Sequence, residues 1–84
     1  MVNLDDLFNR YPDVEFLIAD GFNEAIIGVD ETQMRLIYSM NKCIDILCRE
    51  MEYDEALEYF SFNIHQAYVG DKTPIWCVDD FQNE

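Results

Sequence analysis

The spacing of hydrophobic residues changes near residue 40 of this chain. Before that point two sets of residues alternate, Met34, Leu36 and Tyr38 against Arg35, Ile37 and Ser39. A period of two is typical of a β-strand. After it the apolar positions recur at steps of three and four, at Met40, Cys43, Ile44, Leu47, Cys48 and Met51. This spacing predicts a helix directly after the strand, with Ser39 or Asn41 as its N-cap.

A second short strand is predicted before this alternating segment. Residues 25–29 are apolar and lie between Gly21 and the acidic pair Asp30 and Glu31. The polar linker at residues 30–33 is typical of a hairpin loop. We therefore expect two antiparallel strands here.

Capping and first-turn residues predict a short helix at the N-terminus. Asn3 can act as its N-cap, and Asp5 and Asp6 fall in the first turn, where the helix dipole stabilises negative charge. Its apolar face would consist of Leu4, Leu7 and Phe8. Pro12 ends this helix or begins another element. Residues 15–19 fit neither period, so helix and strand both stay open there.

The C-terminal third predicts one more helix and a last strand. After a break near Glu52, the apolar face of the helix would consist of Tyr53, Ala56, Leu57, Phe60, Ile64 and Ala67. Gly70 follows at the position of a left-handed C-cap. Pro74 can stand at the entry of the strand, which we expect from Ile75 to Val78.

These elements predict a single α+β domain over residues 1–84. We expect a small antiparallel sheet of about three strands, covered on one face by a helix pair, with the short N-terminal helix beside it. Half of the residues are hydrophobic, which is typical of a folded chain.

Charge narrows the classes of partner. The chain has 18 acidic and 5 basic side chains, a net charge of −13. Such a charge disfavours direct binding to nucleic acid and to anionic membranes. It favours a basic protein as the partner, in particular one that itself handles nucleic acid. No stretch reaches the length of apolar sequence that a membrane span needs.

The three cysteines predict free thiols. The chain has an odd number of cysteines, namely Cys43, Cys48 and Cys77, and all three lie in apolar segments. Nothing that resembles a signal peptide precedes them. We expect all three to be unlinked, with at least Cys43 and Cys77 buried. A reducing compartment, the cytoplasm, suits them best.

Candidate catalytic and metal sites are weak in this sequence. Asp20, Asn23 and Glu24 offer oxygen ligands, but their spacing differs from a calcium loop and favours a turn. His65 lies four residues after Ser61, and neither a third orienting group nor an oxyanion site accompanies them. We therefore predict no catalytic residue, metal or cofactor, and expect the protein not to be an enzyme.

A partner-binding surface is the stronger prediction. It would consist of Asp45, Glu52, Glu55, Glu58, Tyr59 and Phe62. Residues three and four apart lie close together on a helix surface, so the carboxylates would form an acidic face. Tyr59 and Phe62 lie off the main apolar stripe of their helix. They can serve a partner or a homodimer, or simply pack under the sheet or the N-terminal helix.

Two segments of the chain have distinctive motifs. The first is DGFNEAIIG at residues 20–28, and the second contains FN at 62–63, AYVG at 67–70 and TP at 73–74. Together these motifs resemble those of a group of small hypothetical proteins of phages and bacterial genomes. The resemblance extends over roughly residues 13–78. It implies a viral origin, hence a host-cell cytoplasmic location, and it implies no activity.

The sequence leaves two functions open. The first is a small acidic phage-type protein that binds a basic partner, either as an inhibitor of a host protein or as a mimic of nucleic-acid charge. The alternative is a structural or accessory protein that oligomerises and has no inhibitory role, with its acidic charge serving solubility.

Overall fold

The structure, a computed structural model, describes residues 3–65, 67 and 70–81. Its elements in chain order are α1 (Leu4–Arg10), a 3₁₀ helix (Asn23–Ala25), β1 (Ile26–Asp30), β2 (Arg35–Ser39), α2 (Met40–Leu47), α3 (Tyr53–Phe60), a π-helical turn (Ser61–His65) and β3 (Ile75–Cys77). The α+β class and the short N-terminal helix are confirmed. Tyr68 and Val69 of the resemblance pattern lie outside the described residues.

The predicted hairpin is present. β1 and β2 pair antiparallel, and a bulge at Ile27 separates the Ile26 and Gly28 pairings. The Asp30 carboxylate begins the loop, because its Oδ1 accepts hydrogen bonds from the Thr32 amide and from Thr32 Oγ1 at 3.1 and 2.5 Å. These hydrogen bonds lower the pKa of Asp30. The loop therefore owes its shape to an acid that serves as a turn residue.

The third strand runs opposite to the prediction. β3 pairs parallel with β2, with Ile37 beside Ile75 and Tyr38 beside Trp76, so the sheet is mixed in the order β1-β2-β3. Parallel neighbours need a crossover connection, and α2 and α3 supply it. The expectation of a wholly antiparallel sheet was wrong because it left out this role of the helix pair.

Side chains fix the starts of two helices as predicted. Asn3 Oδ1 accepts a hydrogen bond from the Asp5 amide at 2.8 Å and caps α1. Ser39, rather than Asn41, caps α2 and accepts from the Lys42 amide at 3.1 Å. The same buried Ser39 hydroxyl donates to Asp79 Oδ1 at 2.6 Å. This pair of bonds ties the segment after β3 to the first turn of α2.

The core lies between the sheet and the helix pair. Its buried members are Leu7, Phe22, Ala25, Ile26, Leu36, Tyr38, Cys43, Ile44, Ala56 and Phe60. The Trp76 ring contacts both Tyr38, at a centroid distance of 5.0 Å, and Phe60, at 5.4 Å. Helix α3 is thereby packed on β2 and β3 through one aromatic cluster.

Several predicted helical positions differ in the structure. α2 ends at Leu47, and α3 passes into the π-helical turn after Phe60. Residues 15–19 are neither helix nor strand. Gly70 has the expected positive φ of 110°, whereas the described helical residues end at His65.

Some predicted core residues lie at the surface. Exposed side chains from the predicted apolar faces are Phe8, Cys48, Tyr53, Leu57 and Ala67. Cys43 is buried as expected, but Cys77 is only half-buried. Cys77 belongs to a strand at the edge of the sheet, where one side lacks a neighbouring strand to cover it.

Candidate interaction surface

Helix α3 presents acidic and aromatic side chains on one exposed face. Glu55, Glu58, Tyr59, Phe62 and Asn63 line a shallow hollow of about 300 Å³, and we call this set the acidic-aromatic face. Phe62 is 69% exposed and Tyr59 45% exposed. Four of the six residues predicted to bind a partner are therefore brought together. Asn63 also lines the hollow and was not predicted.

The π-helical turn shapes the far end of this face. Asn63 Nδ2 donates a hydrogen bond to the Tyr59 carbonyl at 3.1 Å. Phe60 is buried on the opposite side, where its ring stacks on His65 at a centroid distance of 5.9 Å. Because Phe60 holds the helix to the core, Tyr59 and Phe62 on either side of it stay turned to solvent.

The segment that leads into and forms α3 has several acidic side chains and no basic one. Five carboxylates fall between residues 50 and 58, namely Glu50, Glu52, Asp54, Glu55 and Glu58, and no Lys or Arg occurs from residue 50 to residue 71. The cations that flank this run in the sequence face other parts of the fold. Arg49 Nη2 donates to Glu24 Oε2 at 2.6 Å, and Lys72 Nζ donates to the Gln33 carbonyl at 3.2 Å.

The two remaining predicted residues lie apart from the hollow. Glu52 is exposed at the N-cap of α3, one turn before Glu55. Asp45 lies on α2 and lines a different hollow together with Lys42 and Arg49, two of the five cations. Helix α2 thus places Asp45 among positive charges, so Asp45 is not part of the acidic-aromatic face.

Sequence reasoning missed a second exposed surface. Met40, Ile44, Tyr53, Leu57 and Val78 meet in a hollow of about 160 Å³ with Asn41 and Asp80 at its rim, and we call this the apolar groove. Tyr53 is 60% exposed, Val78 54% and Leu57 40%. Helical spacing alone assigned Tyr53 and Leu57 to the core. The sequence has no signal for this exposure, because the side of α3 that α2 covers depends on how the two helices pack.

The described part of the chain has neither a metal-binding cluster nor a membrane-spanning helix. Within residues 3–65, 67 and 70–81, no group of three or more His, Cys, Asp or Glu side chains could hold a metal ion. None of the helices in the described part is long and apolar enough to cross a bilayer. Comparison of the chain with protein-family models, curated proteins and solved structures finds no match.

The charge of the chain predicts stabilisation by salt. We expect the melting temperature to rise between about 10 mM and about 150 mM sodium chloride, because the Debye length falls from about 30 to about 8 Å. With a net charge of −13 in one small body, screening relieves repulsion in the folded state. Each kcal/mol relieved would raise the melting temperature by about 4–8 °C. Differential scanning calorimetry measures this shift.

Choline chloride is the control for that measurement. It should act like sodium chloride at equal ionic strength, because screening does not depend on the identity of the cation. A melting temperature that falls with added salt would contradict the interpretation.

Proposed function

We propose that this chain is a small acidic protein of phage type that acts by binding a basic protein, and that the acidic-aromatic face of α3 makes the contact. The observation that carries the proposal is the grouping of Glu55 and Glu58 with exposed Tyr59 and Phe62 around one hollow. Aromatic anchors at the centre with polar side chains around them are characteristic of protein interfaces.

The distribution of charge favours a local contact over imitation of nucleic acid. Exposed acids occur on α1, in the hairpin loop, on α2 and α3 and after β3, at positions such as Asp5, Glu31, Asp45, Glu58 and Asp80. A charge mimic needs most of its charge on one side. Carboxylates that surround the molecule instead serve solubility, while those beside Tyr59 and Phe62 can pair with a basic partner.

The test compares two triple amide variants. Capture from a bacterial lysate at low and high salt first supplies a candidate partner. We expect Glu52→Gln, Glu55→Gln and Glu58→Gln together to slow its association by about tenfold at low salt, because charge pairing mainly sets the association rate. The matched control replaces Asp13, Glu15 and Asp20 by their amides. It removes the same charge from an exposed segment and should slow association much less.

Phe62→Ala tests the aromatic part of the contact. An aromatic anchor that becomes buried in the complex mainly sets the dissociation rate, so we expect Phe62→Ala to make dissociation about tenfold faster or more. If both amide sets slow association equally, the effect comes from net charge alone and not from the acidic-aromatic face. Association that is insensitive to salt and to both sets would overturn the proposal. Reversible self-association that Phe62→Ala abolishes, with no partner captured, would favour the alternative of an oligomerising accessory protein.

A further inference from the structure

The apolar groove is a preformed part of the surface. Its floor is Ile44, which is 6% exposed, and its walls come from both helices and from Val78. The hydrogen bond from Ser39 Oγ to Asp79 Oδ1 at 2.6 Å holds the segment after β3 against the first turn of α2. Val78, the residue before Asp79, is thereby held on the side of the fold where it lines the groove together with Met40.

The size of the groove suits one apolar side chain. Its volume of about 160 Å³ is close to the ~150 Å³ that accommodates a single benzene ring in a protein cavity. One leucine, methionine or phenylalanine side chain could fill it. The groove lies along two helices that pack on each other, which is the geometry that receives an anchor residue of an amphipathic helix.

Charge around the groove selects the kind of helix. Asp80 lies at the rim, and Asp54 is three residues before Leu57 on the exposed side of α3. None of the described residues that line the groove is Lys or Arg. A second copy of this chain would bring another net charge of −13 to the same place, whereas a basic segment is attracted there.

We infer that the apolar groove binds a basic amphipathic helix of the partner, which inserts one apolar side chain between α2 and α3 while its Lys and Arg residues face Asp54 and Asp80. This inference rests on the proposed function, since it specifies the partner as a helix with both apolar and basic residues. It places the anchor on the side of α3 away from Tyr59 and adds a second contact to the acidic-aromatic face.

The test uses three synthetic helical peptides with the ¹⁵N-labelled full chain. The first carries leucine at positions i, i+4 and i+7 and lysine elsewhere; the second has serine for leucine; the third has glutamate for lysine. We expect the first peptide to shift the amide resonances of Ile44, Leu57 and Val78 on titration. The serine peptide should bind about tenfold more weakly or worse, which corresponds to a loss of about 1.4 kcal/mol or more in binding free energy. The glutamate peptide should not bind.

Variants of exposed residues locate the contact without disturbing the core. Leu57→Ser and Val78→Ser should each weaken binding of the leucine–lysine peptide by about tenfold, as truncation of a central contact does. Leu17→Ser is the matched control and should leave the affinity unchanged, because Leu17 is 38% exposed, close to the 40% of Leu57, and lines neither the apolar groove nor the acidic-aromatic face. Thermal melts of all three variants would verify that they fold.

Three outcomes would overturn the inference. Equal binding of the leucine and serine peptides would mean that charge alone is recognised. Affinity that Tyr59→Ser lowers and Leu57→Ser leaves unchanged would place the peptide on the acidic-aromatic face. Sedimentation showing a dimer that Leu57→Ser dissociates would assign the groove to a second copy. The amide test of the proposed function is independent of these three results, because it changes Glu52, Glu55 and Glu58 and leaves the groove intact.

Discussion

Replacing Tyr38 by alanine is expected to lower the free energy of unfolding by about 3–5 kcal/mol, the usual cost of removing a buried aromatic side chain. Tyr38 is fully buried on the central strand, and its ring contacts Trp76. Its hydroxyl accepts a hydrogen bond from the Ala19 amide at 2.8 Å and so joins the sheet to the irregular segment before the first strand. Burial also raises the pKa of Tyr38, so the phenol stays neutral at ordinary pH.

Two further variants separate the parts of this effect. Tyr38→Phe keeps the ring and leaves the Ala19 amide without its acceptor, which should cost about 1–3 kcal/mol. Phe8→Ala removes an aromatic side chain that is 42% exposed and should cost clearly less than Tyr38→Ala. Urea denaturation followed by circular dichroism gives all three values. A loss below about 1 kcal/mol for Tyr38→Ala would contradict the described core.

The three thiols are expected to react at widely different rates in the native protein. Cys48 is exposed, Cys77 is half-buried and Cys43 is buried. Burial raises the pKa of the Cys43 thiol from 9.0 to about 12. Since each pKa unit lowers the thiolate fraction about tenfold at a fixed lower pH, Cys43 should hold about a thousandfold less thiolate than an unperturbed thiol. Its buried position slows the reagent further.

Labelling with a thiol reagent near neutral pH, read out by mass spectrometry of peptides, measures the three rates. We expect Cys48 to react first and Cys43 last, at least about a thousandfold more slowly. In denaturant the rates should converge, which is the control for intrinsic differences in sequence context. Cys48→Ser should remove the fast phase alone. Equal native rates at Cys43 and Cys48 would disprove the assignment of Cys43 to the core.

Part of the candidate site could be predicted because it depends on local spacing. Glu55, Glu58, Tyr59 and Phe62 lie within eight consecutive positions, so helical geometry alone places them near one another. Asp45 could not be placed in this way. Its surroundings, Lys42, Arg49 and Glu24, include a residue on a distant segment, and only the folded chain brings Glu24 near α2.

The apolar groove was not predictable for the same reason. Met40, Leu57 and Val78 come from two helices and a segment after a strand, and no sequence period connects them. Helical spacing identifies the apolar stripe of α3 but does not tell which part of that stripe a neighbour covers. How α2 packs against α3 decides that Tyr53 and Leu57 are exposed.

The sequence by itself determined the elements whose signals are local. The N-caps at Asn3 and Ser39, the Asp30 loop and the change of period at residue 40 all act within a few residues, and the structure contains each of them. Tertiary structure alone decided the parallel pairing of β3 and the half-burial of Cys77. Strand direction depends on where the crossover helices return the chain, and burial depends on which element covers a residue. Both are relations between distant segments, which local spacing does not encode.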